Sequence, residues 1–511
     1  MDGSGSGKSA AYSIPNAYQC LGSYIFTDPK GELYDKTAGY LRTEGYDIKI
    51  FNLVKPQNSD GYNPLMHITS EIDVDVIANT IVKGQQAEGG KNDPYWDDMA
   101  EMLLKALIYY LIATRPEEEQ NLASCAELVR AANKNGGSNL LTELMNQLPY
   151  DHPARMNYKS IEIAPEKTYG SILSSLQSKL GKFDSKEIAE LTSTDTINFE
   201  EIGSKKTAVY VISSDTHGAY DFLLTIFFAQ MIQQLYNFAD DNGGRLKIPT
   251  YFILDEFANI GRIPDFDKKI STSRSRKISF SVILQNLDQL EAVYKETYET
   301  IMGNCDTHVF LGSNSYKTVE YFSKALGEKT IERDSVSISR DRHNWKQGKN
   351  VSDQIMARAL MTPDELRRMD NDLCIIYEKG IKPIKAKKYY YFAYPIAKKV
   401  SRFQVDHNDI EPIDRGQWRK YNPYNPYVDE KNAKPVENLK VESLDDLFED
   451  SSDETKLNNK QAKEEEFAPI LPLEEEQQEK KEEINDIFSE DVQKELEAKF
   501  DELFGPMDED E

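Results

Sequence analysis

The chain has 511 residues, a length that holds two or three domains, and its formal net charge is −26. Residues 437–511 contain 28 acidic and eight basic side chains, so this tail carries a net charge of −20 and the rest of the chain carries −6. A body that is this close to neutral does not exclude a nucleic-acid partner. The spacing of the four cysteines and six histidines excludes metal motifs of the CxxC and HExxH kinds and predicts a reducing compartment.

A phosphate-binding loop is predicted at the start of the chain. Its glycines let backbone N–H groups converge on phosphate oxygens. Lys8 is predicted to neutralise the β- and γ-phosphates of ATP, and the hydroxyl of Ser9 to bind Mg²⁺. The full pattern has a glycine where this chain has Asp2. The predicted nucleotide-binding residues are Gly3, Ser4, Gly5, Ser6, Gly7, Lys8 and Ser9.

Alternating strands and helices follow, and they predict an α/β fold with a mostly parallel sheet covered on both faces. Strands are predicted at residues 23–27, 46–54, 207–212, 250–255, 278–284 and 307–311, with a final pair at 373–378 and 389–394. Between the second and third strands, the apolar periodicity at Trp96, Met99, Leu103 and Leu107 is typical of helices. This stretch is therefore predicted to be an inserted all-α domain.

These elements divide the chain into five predicted parts. Residues 1–92 and 187–400 are predicted to form one nucleotide-binding domain, which the all-α domain at 93–186 interrupts. Residues 401–436 are predicted to be a linker. Residues 437–511 are predicted to be disordered, because their Glu, Asp, Lys, Asn and Gln residues cannot bury enough apolar surface to fold alone.

A second acidic motif follows the strand predicted at 250–255. Asp255 and Glu256 come directly after apolar residues, which is the pattern of a Walker B strand. Asp255 is predicted to hold Mg²⁺ through water, and Glu256 is predicted to orient and deprotonate the attacking water. Because a buried strand that ends in two acids is common by itself, this prediction depends on the phosphate loop upstream.

Two further side chains are predicted to act on the γ-phosphate. Gln285 follows the strand predicted at 278–284, where P-loop ATPases with an additional strand carry a polar sensor; a surface glutamine is the alternative. Arg274 belongs to a basic run at 273–277 and is predicted to reach the nucleotide of a neighbouring subunit as an arginine finger. A solvated helix end and a contact to DNA phosphates are the alternatives for Arg274.

Five motifs together resemble the TraG/TraD-type coupling proteins of conjugation. The similar runs are TDPKGEL at 27–33, NPL at 63–65, DEFANIG at 255–261, QNLDQL at 285–290 and GNCDT at 303–307. The similarity covers residues 3 to about 394. The resemblance implies a RecA-like P-loop ATPase that binds ATP and Mg²⁺, assembles as a homo-hexamer and carries a membrane-distal all-α domain.

The resemblance also implies a role. Such a protein delivers relaxase-bound single-stranded DNA to a type IV secretion channel at the cytoplasmic face of the cell membrane, with protein substrates left open. The family carries an N-terminal membrane anchor, and P-loop folds place a strand before the phosphate loop. Neither is found in this sequence, where no apolar run reaches the roughly 18 residues of a membrane helix. We therefore expect the sequence to be an N-terminally truncated reading of a longer protein.

Other functions remain open at this point. One is a nucleotide-switched docking receptor that hands over relaxase-bound substrates without pumping, and another is a DNA pump of the FtsK/HerA kind, against which the DPKGEL and DEFANIG motifs argue. The acidic tail is interpreted either as a solubilising segment or as a recruitment arm. In the second case its apolar-acidic clusters at 444–448 and 487–488 bind basic relaxosome or secreted partners.

Overall fold

A computed structural model describes residues 7–84, 94–132, 139–214, 218–339 and 348–423. The predicted tail at 437–511 and the first four residues of the phosphate loop, Gly3 to Ser6, lie outside these described residues.

A five-stranded parallel sheet lies at the centre of the fold. Its strands are β1 Ser23–Thr27, β2 Asp47–Asn52, β3 Thr207–Ile212, β4 Thr250–Leu254 and β5 Ile278–Val282, in the order β2-β3-β1-β4-β5. Every neighbouring pair is parallel, and Ile25 of β1 lies opposite Val209 on one side and Phe252 on the other. All five strands therefore end at the same edge of the sheet, where the polar residues that follow them come together.

Seventeen α-helices occur within the described ranges. Helices α1 to α3 are Ile14–Ala17, Glu32–Thr43 and Glu71–Lys83. Helices α4 to α10 are Pro94–Thr114, Leu122–Ala132, Leu140–Asn146, Pro153–Glu162, Glu166–Leu180, Lys186–Leu191 and Phe199–Ser204. Helices α11 to α17 are Asp221–Asp241, Phe266–Thr272, Leu287–Tyr294, Tyr298–Gly303, Tyr316–Leu326, Pro363–Arg367 and Ile396–Arg402. None of these helices is long and apolar enough to cross a membrane.

The sheet is buried on both faces, because successive residues of a strand point to opposite sides. Ile25 and Phe252 pack on one side into a core that includes α3, α4 and α11. Tyr24 and Tyr210 pack on the other side into a second core with α1 and α2. The predicted fold class, a RecA-like sheet with helices on both faces, is therefore confirmed.

Helices α4 to α8 lie in the stretch 93–186 that was predicted as a helical insertion, and α9 begins at its last residue. The described residues from 94 to 206 contain no strand. Leu103 and Leu107 of α4 belong to the same buried cluster as Val74 of α3 and Phe227 of α11, which cover the sheet. The helical stretch thus shares a core with the sheet, and its boundaries as a separate domain stay a prediction.

The remaining strands correct the prediction for the second half of the chain. They are β6 Thr307–Phe310, β7 Glu328–Ser339, β8 Gly348–Ala359, β9 Leu373–Glu378 and β10 Ile384–Lys387. β6 does not extend the parallel sheet but pairs with β9, which pairs in turn with β10, in an antiparallel sheet of order β10-β9-β6. β7 and β8 form a long hairpin that the sequence analysis did not predict.

The strand predicted at 389–394 is wrong. Residues Tyr391–Ala393 form a 3₁₀ turn, and the partner that pairs with β9 is β10, with Ile384 opposite Ile376. Aromatic residues favour strands in general, but the aromatic side chains of this run pack on different parts of the protein, so the run does not extend along a partner strand.

The contact between α11 and the sheet predicts a large effect for Phe227→Ala. The Phe227 ring is fully buried and stacks on Phe51 of β2 at 4.5 Å between ring centroids. Removing it leaves a cavity, so we expect the free energy of unfolding to fall by about 3–5 kcal/mol in a denaturant titration. Ile163→Ala, at an exposed position, serves as the control and should change it by about 0.5 kcal/mol or less.

Candidate nucleotide-binding site

Three of the predicted site residues meet at the carboxyl edge of the parallel sheet. The Lys8 ammonium lies 3.2 Å from Oε1 of Glu256, and the Gln285 side-chain amide donates a hydrogen bond to the same oxygen at 3.0 Å. Lys8 and Glu256 are both largely removed from solvent. One oxygen of Glu256 is therefore bound by two groups that are distant in the sequence. Lys8 precedes Glu256 by 248 residues, and Gln285 follows it by 29 residues.

The described part of the phosphate loop begins a helix. Gly7 has a φ of +74°, a conformation that glycine adopts at little cost, and its carbonyl accepts from the N–H of Ala11 at 2.7 Å. The first helical turn, Ser9–Ser13, is a π-turn that continues into α1. Lys8 thus stands at the N-terminus of a helix, where the helix dipole and unpaired N–H groups favour an anion.

Glu256 is held in an uncommon backbone conformation. Its φ is 50° and its ψ is 46°, the left-handed region that residues other than glycine rarely adopt. This conformation turns the chain sharply after β4, and the Glu256 side chain is aimed at Lys8. Such strain is retained at positions where the surrounding structure holds it, and it is frequent at functional sites.

Asp255 precedes Glu256 and is likewise partly buried. Burial raises the pKa of its carboxyl, while the charge of Lys8 lowers it and that of Glu256 raises it. The Asp255 carboxylate accepts from the N–H of Glu256, and its backbone carbonyl accepts from the Thr27 hydroxyl at 2.6 Å. Thr27, at the end of β1, is a site residue that sequence reasoning missed; its position at a strand end beside β4 was the available signal.

Gln285 is positioned by the run that follows it. Its backbone N–H donates to the Gln289 side chain at 3.1 Å, and the Asn286 side chain caps α13 by accepting from the N–H of Gln289. The QNLDQL run therefore fixes the turn after β5 and aims the Gln285 amide at Glu256. Gln285 is itself exposed, so its role as a sensor stays a prediction, with a surface glutamine as the alternative.

Ser9 and Asp255 form the oxygen pair predicted for Mg²⁺. Ser9 follows Lys8 directly, and Asp255 lies close enough to Lys8 for that charge to lower its pKa. A hydroxyl and a carboxylate are oxygen donors of the kind that Mg²⁺ prefers, so the two residues fit this ion chemically.

Arg274 is not brought to the other site residues within one chain. It begins the 3₁₀ turn Arg274–Arg276, which precedes β5, so it lies at the amino end of a strand whose carboxyl end carries Gln285. Its side chain is 93% exposed and lies 3.7 Å from Asp306. The arginine-finger assignment therefore stays a prediction about a neighbouring subunit.

Asp28 of the DPKGEL run caps a helix. Its carboxylate is fully buried and accepts from the N–H of Tyr34 at 2.8 Å, in the first turn of α2. Gly31, with a φ of 71°, makes the turn between Asp28 and the helix. Burial raises the pKa of Asp28 to about 7, although the hydrogen bonds from Tyr34 and Leu33 lower it.

Tyr390 is the second contact that sequence reasoning missed. A Cβ added at Gly7 would lie 2.5 Å from Cε1 of Tyr390, so the tyrosine ring packs directly on the phosphate loop. The Tyr390 hydroxyl donates to the carbonyl of Asn371 at 3.2 Å. The aromatic run at 389–392 was the signal, but it was interpreted as part of a strand.

Three features of this site define a P-loop protein of RecA-like fold. A helix begins at Lys8, two carboxylates follow the central strand β4, and a polar residue follows its neighbour β5. The profile of a family described as "Type IV secretory system Conjugative DNA transfer" matches residues 1–412. The chain belongs to this family.

Curated relatives extend the comparison. Protein VirD4 of Rhizobium rhizogenes is 25% identical over 421 residues, which cover 78% of this chain and 59% of the relative. Conjugal transfer protein TraG of Escherichia coli is 24% identical over 429 residues, covering 76% and 66%. The chain thus spans about three fifths to two thirds of the length of these relatives.

Solved structures share the fold. Plasmid coupling protein TrwB in complex with ADP and Mg²⁺ has a TM-score of 0.54 at 17% identity, covering 76% of this chain and 83% of that chain. TrwB in complex with the ATP analogue ADPNP has a TM-score of 0.55 at 16% identity, with the same coverage.

The buried carboxyl of Asp28 predicts a pH-dependent stability. Because its pKa is about 7 in the folded protein and 3.8 ordinarily, the folded state keeps a proton that the unfolded state releases between these values. This group therefore lowers the free energy of unfolding as pH rises from about 4 to about 7. Asp28→Asn cannot titrate, yet its amide oxygen can still accept from Tyr34.

The measurement is denaturant unfolding of wild type and Asp28→Asn across this pH range. The difference between their free energies of unfolding should shift in favour of the variant as pH rises and become constant above pH 7. Parallel pH curves for the two proteins would contradict the prediction. The exposed Asp241→Asn serves as the control.

Proposed function

We propose that this chain binds and hydrolyses ATP as a coupling protein that delivers relaxase-bound single-stranded DNA to a type IV secretion channel. The observation that carries the proposal is the contact of Lys8 and Gln285 with one carboxylate oxygen of Glu256 at the carboxyl edge of the sheet. Membership of the conjugative DNA transfer family supports the transport role. The nucleotide complexes of TrwB support ATP as the substrate.

The Lys8–Glu256 contact suggests how the site changes when nucleotide binds. The β- and γ-phosphates attract Lys8 more strongly than a single carboxylate does, so Lys8 leaves Glu256. Glu256 is then free to orient a water molecule and to accept its proton, while the Gln285 amide remains beside the γ-phosphate. The resting contact keeps both catalytic groups aligned in the absence of substrate.

Ser9 and Asp255 would hold Mg²⁺, which supplies positive charge to the β- and γ-phosphates when bound. Asp255 must be ionised for this role. Its burial opposes ionisation, but Lys8 favours it, and a bound cation would favour it further. The Thr27 hydroxyl keeps Asp255 in place by binding its backbone carbonyl.

Assembly as a homo-hexamer is part of the proposal. Arg274 lies at the amino end of β5, away from the nucleotide site of its own chain, and its side chain is almost fully exposed. These features suit a residue that reaches the γ-phosphate bound by a neighbouring subunit. In such an assembly each site combines Lys8 and Glu256 of one chain with Arg274 of the next.

We also propose that the chain acts at the cytoplasmic face of the cell membrane, where a secretion channel opens. The net charge of −20 in residues 437–511 suits binding to basic relaxosome or secreted proteins. Partners would therefore be recruited by the tail and their DNA moved by the motor.

Glu256→Gln tests the hydrolytic step. Removing the general base should lower the turnover of ATP by at least about 100-fold while leaving ATP affinity nearly unchanged. The measurement combines phosphate release, with and without single-stranded DNA, and calorimetric binding of ATP. Exposed Glu296→Gln is the control and should keep wild-type turnover. Equal turnover in wild type and Glu256→Gln would contradict the assignment.

Displacement of a protein block from labelled DNA separates a pump from a docking receptor. The proposed motor hydrolyses ATP faster with DNA and displaces the block. Hydrolysis without displacement would favour the nucleotide-switched receptor instead.

Arg274→Ala tests the shared site. If Arg274 acts on a neighbour's nucleotide, the variant should lose about 1,000-fold or more in turnover. Mixing it with Glu256→Gln chains should restore part of the activity, because the second variant still supplies Arg274 to sites that keep Glu256. Mixtures that stay inactive would contradict action across subunits, and exposed Arg367→Ala is the matched control.

A further inference from the structure

We infer that Phe392, stacked on Tyr390, is the platform on which the purine base of the bound nucleotide packs. The inference rests on the nucleotide binding proposed above and adds a subsite for the base, formed by residues outside the Walker motifs.

The first observation is the position of the aromatic segment. Tyr390 packs on Gly7, and the 3₁₀ turn Tyr391–Ala393 contacts the helical turn Ser9–Ser13 that follows Lys8. A nucleotide whose phosphates bind at Lys8 therefore has this segment as its neighbour. The base, which is the apolar end of the nucleotide, needs an apolar surface within reach of the phosphate site.

The second observation is the Phe392 ring. It lies 5.2 Å from the Tyr390 ring, measured between centroids, and the two planes differ by 17°. Tyr391 contacts it edge-on at 5.6 Å. Phe392 is nevertheless 62% exposed, so a large apolar ring faces solvent one ring away from the phosphate loop.

The third observation is that the segment is held in place. The Lys388 ammonium donates to the carbonyl of Leu311 at 2.7 Å, immediately before the segment. Tyr389 and Tyr394 stack at 3.8 Å across it, and Tyr391 packs against the buried core around α1 and α2. A platform that is ordered in advance does not have to be ordered by the ligand, which favours binding.

The chemistry of the platform limits what it distinguishes. An aromatic ring stacks on the face of any base, since every base has a π-face, and Phe392 carries no group that hydrogen-bonds to a base edge. The platform therefore adds affinity for nucleotides without choosing among purines. We expect ATP and GTP analogues to bind with similar affinity.

The experiment is calorimetric titration of the full chain with Mg²⁺ and either ADPNP or inorganic tripolyphosphate, which lacks a base. Phe392→Ala should raise the Kd for ADPNP about 10-fold and leave the Kd for tripolyphosphate unchanged. Phe392→Trp should restore the wild-type affinity for ADPNP. Tyr316→Ala removes an equally exposed ring from α15 and should change neither affinity.

Two results would overturn the inference and leave nucleotide binding intact. One is an unchanged Kd for ADPNP in Phe392→Ala, and the other is an equal rise for ADPNP and tripolyphosphate, which would make the segment a support of the phosphate loop only. Wild-type protein that binds neither ligand would instead overturn the proposed nucleotide binding, and the platform with it.

Discussion

The parallel direction of the five central strands is the constraint on which the site depends. Parallel strands require long crossovers, and here those crossovers supply the helices that bury both faces of the sheet. The same direction brings all carboxyl ends to one edge. Thr27 ends β1 and Gln285 follows β5, yet both donate hydrogen bonds to the two residues that follow β4, Asp255 and Glu256. The cluster of predicted site residues is thus a consequence of the sheet's topology.

Within that cluster, the strained Glu256 is stabilised from two sides. The Thr27 hydroxyl binds the carbonyl of Asp255 just before it, and Lys8 and Gln285 bind its carboxylate. Backbone strain of this kind costs on the order of 1–3 kcal/mol, and the surrounding contacts offset it. The arrangement holds Glu256 at the Lys8 end of the sheet, where a nucleotide phosphate would compete for the same ammonium group.

Much of this could be predicted from the sequence, because the relevant signals are local. The strands at 23–27, 207–212 and 373–378 have the predicted bounds, since each is an apolar run between polar residues. Lys8, Glu256 and Gln285 were found from their spacing, and the structure brings them together. The hairpin of β7 and β8 was missed because most residues of its strands are polar or charged, and no apolar run marks them.

The aromatic run at 389–394 was misassigned for a different reason, because its residues face different tertiary partners. Tyr390 contacts the phosphate loop, whereas Tyr391 packs against a core of the sheet, and no local pattern encodes that division. The same segment continues to His407, whose backbone N–H and ring both bind the Asp35 carboxylate on α2. Tyr390, which packs on the phosphate loop, and His407, which binds α2, therefore belong to one continuous segment. The aromatic segment that packs on the phosphate loop is thereby connected through the backbone to α2, which begins within the DPKGEL motif.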